Sequence, residues 1–364
     1  MEQNDSEHMR HALVLATRGV GRVAPNPAVG CVIVARNGRI VGRGWTGRGG
    51  RPHAEMVALA QAGDAALGST AYVTLEPCAH QGETPPCTDA LVSAGIARVV
   101  GAIEDPDPRV CGRGFERLRS AGVNVRTPLL EREAAEINRG FFLRIRAKRP
   151  LITLKIATSI DGQIATAAGE SRWITGEAAR RFGQLLRARN DAVLIGIETA
   201  IADDPLLTCR LSGLEQDSPV RVVLDTRLRL SERSRLALTA RSLPTLLFTV
   251  SEGGSALSAC GIEIVRVARD ARGRPDIGAV LADLAARGIT RLLVEGGASV
   301  HASFIDRGYV DLLELFRGSM ALGASGVPSI DALAAFTLDE APRFIRTEVQ
   351  RLGPDILESF EVRH

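Results

Sequence analysis

The tightest constraint on how this chain folds comes from His53-Ala54-Glu55, Glu76-Pro77-Cys78 and Cys87. One imidazole and two thiolates make a tetrahedral metal site only if three separate segments converge on a point. Three protein ligands leave the fourth position for water, whereas a purely structural zinc site normally closes with a fourth protein ligand. Glu55 follows the histidine by two residues, near the start of a helix expected over 54–62, so it can approach that water without being a ligand. This suits a proton shuttle at a catalytic zinc, where bound water has a pKa of about 7 and hydroxide can attack an amidine-like ring carbon. The convergence also dictates local structure. A buried strand over 71–75 delivers Glu76, Pro77 and Cys78, and Cys87 opens a helix over 88–94.

The spacing departs from the tight P-C-x-x-C of zinc nucleobase deaminases, because residues 79–86 separate Cys78 from Cys87. Pro85-Pro86 end that excursion, implying a loop that shapes the pocket beside the metal. His80 lies within it and stays open to two readings: an exposed loop residue, or a group that touches substrate or replaces a ligand.

At 364 residues the chain is too long for one ordinary core and suits two domains. In the first half, an apolar run over 29–35, a type I′ turn signal at Asn37-Gly38 and a return over 39–44 predict a hairpin. Strand 98–102, helix 114–121 and strand 123–125 add a βαβ-rich layer. Helical spacing over 131–146 runs into the basic, Pro-punctuated stretch Arg144-Ile145-Arg146-Ala147-Lys148-Arg149-Pro150, read as a helix end and linker with a phosphate-binding surface as the alternative. The boundary is placed there, giving domains 1–147 and 148–364.

Apolar residues make up 45% of the chain and aromatics 4%, the balance of an α/β protein with aliphatic cores. A net charge of +3, two Trp and two Tyr argue against a nucleic-acid-binding strip. Six scattered cysteines give no disulfide framework. No apolar run reaches the roughly 20 residues that span a bilayer, and the N-terminal stretch is polar, so a cytoplasmic protein without membrane partners is expected.

The second half predicts strands over 151–157, 192–196, 220–224, 246–250, 263–267 and 291–295, helices over 177–189, 277–287 and 299–307, and final strands over 344–349 and 356–362. Val294-Glu295-Gly296-Gly297-Ala298 lies between a strand and a helix, where backbone amides and a helix N-terminus can cradle phosphate. It lacks the G-x-G-x-x-G of a dinucleotide fingerprint. Its company raises its value: Lys155, Ser159-Ile160-Asp161-Gly162, Ser171-Arg172-Trp173-Ile174-Thr175 and Ala202-Asp203-Asp204-Pro205 place polar residues after several strands, as a shared cofactor and substrate cleft requires.

With these motifs, together with Pro25-Asn26-Pro27-Ala28-Val29-Gly30-Cys31-Val32, the chain resembles the bacterial bifunctional riboflavin-biosynthesis deaminase/reductase family over nearly its whole length. The resemblance implies a cytidine-deaminase-like three-layer α/β/α domain followed by a dihydrofolate-reductase-like α/β domain. It implies one zinc on His53, Cys78 and Cys87, Glu55 as the catalytic acid/base, and NADPH as the second cofactor. The substrate implied is 2,5-diamino-6-(5-phosphoribosylamino)pyrimidin-4-one, deaminated on the ring and then reduced from ribosyl to ribityl. Asn26 is expected to orient substrate in the first site. Ser171, Arg187, Leu207, Arg210 and Glu295 are expected to meet the phosphorylated substrate in the second. Ala157, Trp173, Thr199, Asp203 and the run Gly297, Ala298, Ser299, Val300, His301, Ala302 and Ser303 are expected to line the NADPH site.

Lys155 shares a sheet face with Ala157 and is the candidate for polarising or protonating the sugar, with Asp203 beside it; a structural Lys155–Asp203 salt bridge is the alternative. After Glu314 the family commonly continues through an apolar-Pro-Lys pattern, whereas this chain reads Leu315-Phe316-Arg317-Gly318-Ser319, which bears on a loop near the cofactor. A rival reading keeps only the zinc deaminase and makes the C-terminal half a non-catalytic ligand-binding or dimer-forming module. A homo-oligomer, dimer or tetramer, is expected.

Overall fold

The computed structural model describes residues 2–79, 85–108, 110–335 and 337–362. They fall into two compact units, Met1–Arg149 and Pro150–His364.

The first unit is built on a five-stranded sheet in the order Ile40–Trp45, Gly30–Val34, Thr70–Val73, Arg98–Gly101, Asn124–Arg126. The two pairings of Gly30–Val34 are antiparallel and the remaining pairings parallel. Helices cover both faces, and two glycines show why they pack so closely. A Cβ at Gly30 would lie 1.9 Å from the Ala12 carbonyl oxygen of helix Glu2–Ala16, and one at Gly44 would lie 2.1 Å from the Ala54 carbonyl oxygen of helix Ala54–Ala62. Gly30 opposes Trp45, and Gly44 opposes the next residue, Cys31, so the two contacts fall on opposite faces of the sheet. The layers are therefore helix, sheet, helix.

Helix Glu2–Ala16 was not expected from its polar sequence. Met9, Ala12 and Ala16 are fully buried against the sheet, and the buried Asp5 carboxylate accepts hydrogen bonds from Arg98 at 2.7 and 2.9 Å, Arg126 at 2.9 Å and the Tyr72 hydroxyl at 2.7 Å. The hairpin forms, but not through a two-residue type I′ turn. Gly38 alone of the turn pair has positive φ (83°). The Ala35 carbonyl accepts the Gly38 amide at 2.9 Å, and the Ala35 amide donates to Arg39 O at 2.9 Å. That is a three-residue loop in which a type I turn ends in a left-handed glycine.

The single helix expected over 131–146 is two, Glu131–Ile137 and Arg139–Ala147. Asn138 sits at the break (φ −99°, ψ 14°), because its buried carboxamide bonds the backbone of Ala28 twice, accepting its N–H at 2.8 Å and donating to its C=O at 3.0 Å.

The second unit has a nine-stranded sheet in the order Glu263–Arg266, Thr245–Thr249, Val220–Leu224, Ala192–Gly196, Arg291–Val294, Leu151–Thr158, Leu312–Arg317, Asp355–Glu361, Ile345–Leu352. The first seven are parallel and the last two antiparallel. Alternation along the buried strands separates two cores. Leu194, Val222, Leu292 and Val294 pack with helices Ile277–Ala286 and Ala298–Asp306. Val193, Ile195, Val223 and Leu293 pack with helix Glu177–Ala188 and the short helices Ile197–Asp203, Arg235–Leu238 and Ser255–Ala259.

Strand Leu312–Arg317 was missed in the sequence because its apolar positions do not form a fully buried run; only Leu313 and Phe316 are buried. The atypical segment after it is tied down. Gly318 N donates to Thr158 O at 2.7 Å, Ile160 N to Met320 O at 2.8 Å, and Gly323 N to the Asp161 carboxylate at 2.7 Å.

The Asp5 cluster gives a pH test of the first unit. Hydrogen bonds from Arg98 hold the Asp5 carboxyl down to about 2 against its burial. A carboxylate depressed in the folded state stabilises it fully above the unfolded value of about 3.9 and loses that contribution as pH falls through the folded value. Asp5→Asn is expected to cost about 2–3 kcal/mol at pH 7 in denaturant unfolding, with the gap to the parent closing between about pH 4 and pH 2. A gap independent of pH would contradict the assignment.

Candidate active sites

His53 is the N-cap of helix Ala54–Ala62, in extended conformation (φ −68°, ψ 154°), and Glu55 lies in that helix's first turn. Cys78 follows strand Thr70–Val73, and Cys87 is the first residue of helix Cys87–Ser93. Their ligand atoms all lie within 4.8 Å of one another. His53 Nδ1 is 3.1 Å from Cys87 Sγ and 3.7 Å from Cys78 Sγ, and the Cys87 amide donates to Cys78 Sγ at 3.3 Å. Zinc bonds of about 2.05 Å to nitrogen and 2.3 Å to sulfur set N···S separations of about 3.6 Å across a tetrahedron, so the three residues fit the ion.

A hydrogen bond from the Cys87 thiol, seconded by His53, pulls the Cys78 thiol down to about 4 despite burial. Cys78 is thus the thiolate of the pair even before metal charge is added, while the hydrogen bond to Cys78 and burial push the Cys87 thiol up. Burial drives the Glu55 carboxyl up to about 7; His53 opposes the shift and Cys78 adds to it. A buried carboxyl able to hold or release a proton therefore adjoins the ligands.

A residue outside the expected set holds this geometry together. Glu76, also buried, accepts backbone N–H bonds from Gly114 at 2.7 Å, Gly112 at 2.9 Å, Asp105 at 3.2 Å and Phe115 at 3.3 Å. Gly114 permits this approach, since a Cβ there would lie 2.0 Å from Pro77 O. A carboxylate inside an otherwise apolar strand end was the available sequence signal. Asn26 Nδ2 donates to Gly49 O at 3.4 Å, placing Asn26 on the turn that leads into His53. His80 lies outside the described residues.

In the second unit a cleft of about 1550 Å³ opens at the C-terminal ends of the parallel strands, the position where open α/β sheets bind ligands. Lys155, Ala157, Ser171, Trp173, Arg187, Thr199, Asp203, Leu207, Arg210, Glu295, Gly297, Ala298, Ser299, Val300, His301 and Ser303 line it. Ala302, expected with them, is buried and does not, because its position on helix Ala298–Asp306 turns it into the core. Gly297 caps that helix, and Thr199 Oγ1 stands 3.3 Å from where a Gly297 Cβ would be, so the glycine leaves room for close ligand approach.

Arg187 and Glu295 meet in a two-pronged pair, Nε to Oε1 at 2.7 Å and Nη2 to Oε2 at 2.9 Å, while Arg187 Nη1 donates to Thr208 O at 3.1 Å. The Arg187 fork is therefore occupied by Glu295. Arg187, expected to meet the phosphorylated substrate, does line the cleft, with its fork on Glu295. Burial pushes the Glu295 carboxyl up, but Arg187 and then Lys155 bring it below its ordinary value. Lys155 makes no ion pair with Asp203 among the described residues; its Nζ lies 5.7 Å from the Phe316 ring centre. Burial pushes its ammonium down, with Glu295 opposing. Asp203 ends helix Ile197–Asp203 rather than lying in a loop, and its carboxylate accepts from Ser171 Oγ at 3.4 Å.

Trp173 is exposed at the cleft, with Arg180 stacked 4.5 Å from its ring centre. His301 is buried. Its Nδ1 lies 2.7 Å from Ser329 O, which fixes Nδ1 as the donor and leaves Nε2 a bare acceptor, and burial pushes the imidazole down to about 4.

Fold and sites together define a zinc-type deaminase unit joined to a reductase unit of the dinucleotide-dependent kind, and comparison with known proteins makes the class particular. Residues 2–103 match the cytidine and deoxycytidylate deaminase zinc-binding region, and residues 150–357 match the RibD C-terminal domain. The riboflavin biosynthesis protein RibD of Bacillus amyloliquefaciens is 42% identical over 96% of this chain and 94% of its own length. That of Escherichia coli K12 is 40% identical over 97% and 98%. The structure of Acinetobacter baumannii RibD, form 1, superposes over 100% of both chains with a TM-score of 0.91 at 36% identity. A Thermotoga maritima protein described as a diaminohydroxyphosphoribosylaminopyrimidine deaminase/5-amino-6-(5-phosphoribosylamino)uracil reductase superposes over 99% of each chain, with a TM-score of 0.87 at 34% identity. The chain belongs to the RibD family of bifunctional deaminase/reductases of riboflavin biosynthesis. The presence of both domains favours this over a deaminase with an inert C-terminal half.

The anchoring role of Glu76 is testable by metal content. Glu76→Gln exchanges an acceptor-only group for one whose amide NH₂ faces backbone donors, a mismatch of roughly 2–4 kcal/mol at a buried site. The purified variant is expected to retain well under half of the parent's zinc while keeping the fold of the second unit. Full zinc retention would show that the Cys78 segment holds itself.

Proposed function

We propose that the first unit, taken as residues 1–147, removes the ring amino group of 2,5-diamino-6-(5-phosphoribosylamino)pyrimidin-4-one by hydrolysis, and that the second, 148–364, reduces the ribosyl group of the product to ribityl with NADPH. The observation that carries the first half is a buried carboxyl, Glu55, beside three converging ligand atoms. Zinc, when bound, supplies a Lewis acid and lowers the pKa of a water at its open position. His53, Cys78 and Cys87 hold the ion. Glu55 takes the proton of the attacking water and returns one to the departing amine, so water and the aminopyrimidine become the carbonyl compound and ammonia. Asn26 orients the substrate.

In the second unit the sugar ring opens to an imine, C1′ accepts hydride, and a proton must reach the substrate. Lys155 supplies it from its ammonium form, which burial pushes toward releasing the proton while Glu295 and then Asp203 favour the charge. Glu295 remains an acceptor for pyrimidine N–H groups, oriented by Arg187, and Ser171, Leu207 and Arg210 complete the substrate side. Ala157, Trp173, Thr199 and the turn from Gly297 to Ser303 form the cofactor side; Ala302 serves there only by packing. The bare Nε2 of His301 suits a ligand O–H or N–H and not a phosphate. Among the described residues no helix is long and apolar enough to cross a membrane, consistent with work in the cytoplasm. The exposed Ile345, Val349 and Ile356 of the terminal hairpin support a homo-oligomer.

Two variants separate the halves. Glu55→Gln is expected to keep its zinc and lose deamination by roughly 10²–10⁴-fold, while oxidising NADPH normally when given the deaminated pyrimidine. Lys155→Met is expected to do the reverse, losing single-turnover hydride transfer far more than NADPH affinity. Loss of zinc in the first variant would make Glu55 a ligand. Normal transfer with weak NADPH binding in the second would make Lys155 a cofactor anchor.

A further inference from the structure

Among the described residues that line the second unit's cleft, only His301 keeps a buried side-chain nitrogen or oxygen without a hydrogen-bond partner. It lies in the first turn of helix Ala298–Asp306, and its amide donates to the capping residue, Gly297, at 3.1 Å. The ring therefore stands one turn past the glycine that leaves room for a ligand. Its Nδ1 donates to Ser329 O at 2.7 Å. A neutral imidazole carries a single N–H, so this bond leaves Nε2 with a lone pair and no hydrogen. The two nitrogens point away from each other across the ring. With Nδ1 turned onto Ser329, Nε2 is the edge left for the cleft.

The segment that supplies Ser329 O is itself held on both sides. Ser329 N donates to Gly162 O at 3.0 Å, Asp331 N donates to Ala298 O at 3.2 Å, and Val327 pairs with Ala165. The tautomer is thus set by the fold. Nor does the ring escape by taking a proton. Burial, with Lys155 adding to it, pushes the imidazole down to about 4 against the Ser329 bond. Near neutral pH the cleft therefore contains a fixed, uncharged acceptor that waits for a donor from a ligand.

Its surroundings select the donor. A phosphate brings acceptor oxygens and no hydrogen to give. Lys155, whose charge acts on His301, is the proton donor of the reductase reading, which puts the ring toward the reacting end of the cofactor instead of its adenosine end. Ala157, Ile164, Ala165 and Val327 line the cleft with it, an apolar surface suited to a flat ring. A dihydronicotinamide is such a ring, and its carboxamide NH₂ is the one hydrogen-bond donor it carries. We propose that His301 Nε2 accepts a hydrogen bond from the carboxamide NH₂ of the nicotinamide, and so fixes the rotation of that ring and the face it presents to the sugar carbon. This deepens the reading of the cleft as an NADPH site and rests on it.

The experiment compares the parent, His301→Phe and His301→Gln in the full-length protein. Phenylalanine keeps the bulk of the ring without an acceptor, whereas glutamine keeps an acceptor oxygen at a similar reach. Each is titrated with NADPH, with its 3-acetylpyridine analogue, which carries a methyl group where the carboxamide has NH₂, and with adenosine 2′,5′-bisphosphate, which has no nicotinamide. Reduction of the deaminated pyrimidine is followed alongside. Meeting a bare buried acceptor is worth about 1–3 kcal/mol, or roughly 5- to 150-fold in affinity. The parent is expected to prefer NADPH over the analogue by about fivefold or more. His301→Phe should bring the two within about twofold, His301→Gln should keep part of the preference, and the bisphosphate should bind all three alike. Loss of the Ser329 bond weakens both dinucleotides equally, so their ratio reports the Nε2 contact and not a structural role.

A parent that binds both dinucleotides equally would overturn the proposal without any variant, and a preference that survives in His301→Phe would overturn it too. Cofactor binding unchanged in His301→Phe, with a raised KM for the deaminated pyrimidine, would also overturn it, by assigning Nε2 to a hydroxyl of the opened sugar. A parent that shows the His301-dependent preference yet does not reduce the pyrimidine would uphold the contact and refute the reductase reading.

Discussion

Three ligand atoms on three segments can share one metal only while each segment is held, and the Glu76 carboxylate holds the one that has least structure of its own. Cys78 lies beyond the end of its strand, in a stretch with no helix to carry it. Four backbone amides from residues 105–115 converge on Glu76, two positions before Cys78. Three of them, Gly112, Gly114 and Phe115, are the donors at the start of helix Arg113–Ser120, satisfied as the cysteine is fixed. His53 and Cys87 need less support because each stands at the start of a helix packed in the unit. The helix bearing His53 and Glu55 is pressed onto the sheet by glycine at position 44, where no side chain could fit.

The second unit uses the same device for a different end. Glu295, like Glu76, stands just past a buried strand, and its oxygens are met by a guanidinium instead of amides. Against its burial, Arg187 holds the Glu295 carboxyl below its ordinary value, and the carboxylate in turn occupies the Arg187 fork. Lys155 makes no ion pair among the described residues, and burial pushes its ammonium down. Paired and unpaired charges thus share one cleft.

Much of this was legible in the sequence because it depends on local pattern. The apolar runs over 151–157, 192–196 and 220–224 are strands because parallel strands are buried on both faces. His53, Glu55, Cys78 and Cys87 stood out because their chemistry needs those residue types at those places. What escaped depends on partners distant in sequence. Nothing in residues 1–10 announces a buried helix until Arg98 and Arg126 neutralise Asp5. Asn138 breaks a helix only because Ala28 offers it a peptide group. Arg187 shows no sign in the sequence of its pairing with Glu295, over a hundred residues later. Strand Leu312–Arg317 carries too few buried residues to be read alone, yet it is the partner of Leu151–Thr158 in the sheet.

The first unit's chemistry requires a metal held by three protein ligands with the fourth position left open. X-ray absorption at the zinc edge of the purified protein measures that directly. The structure predicts one zinc per chain with two sulfurs at about 2.3 Å, one imidazole nitrogen at about 2.0–2.1 Å and one further light-atom ligand from solvent. A second imidazole in the scattering pattern, as His80 would supply, or a third sulfur, would close the site and contradict it.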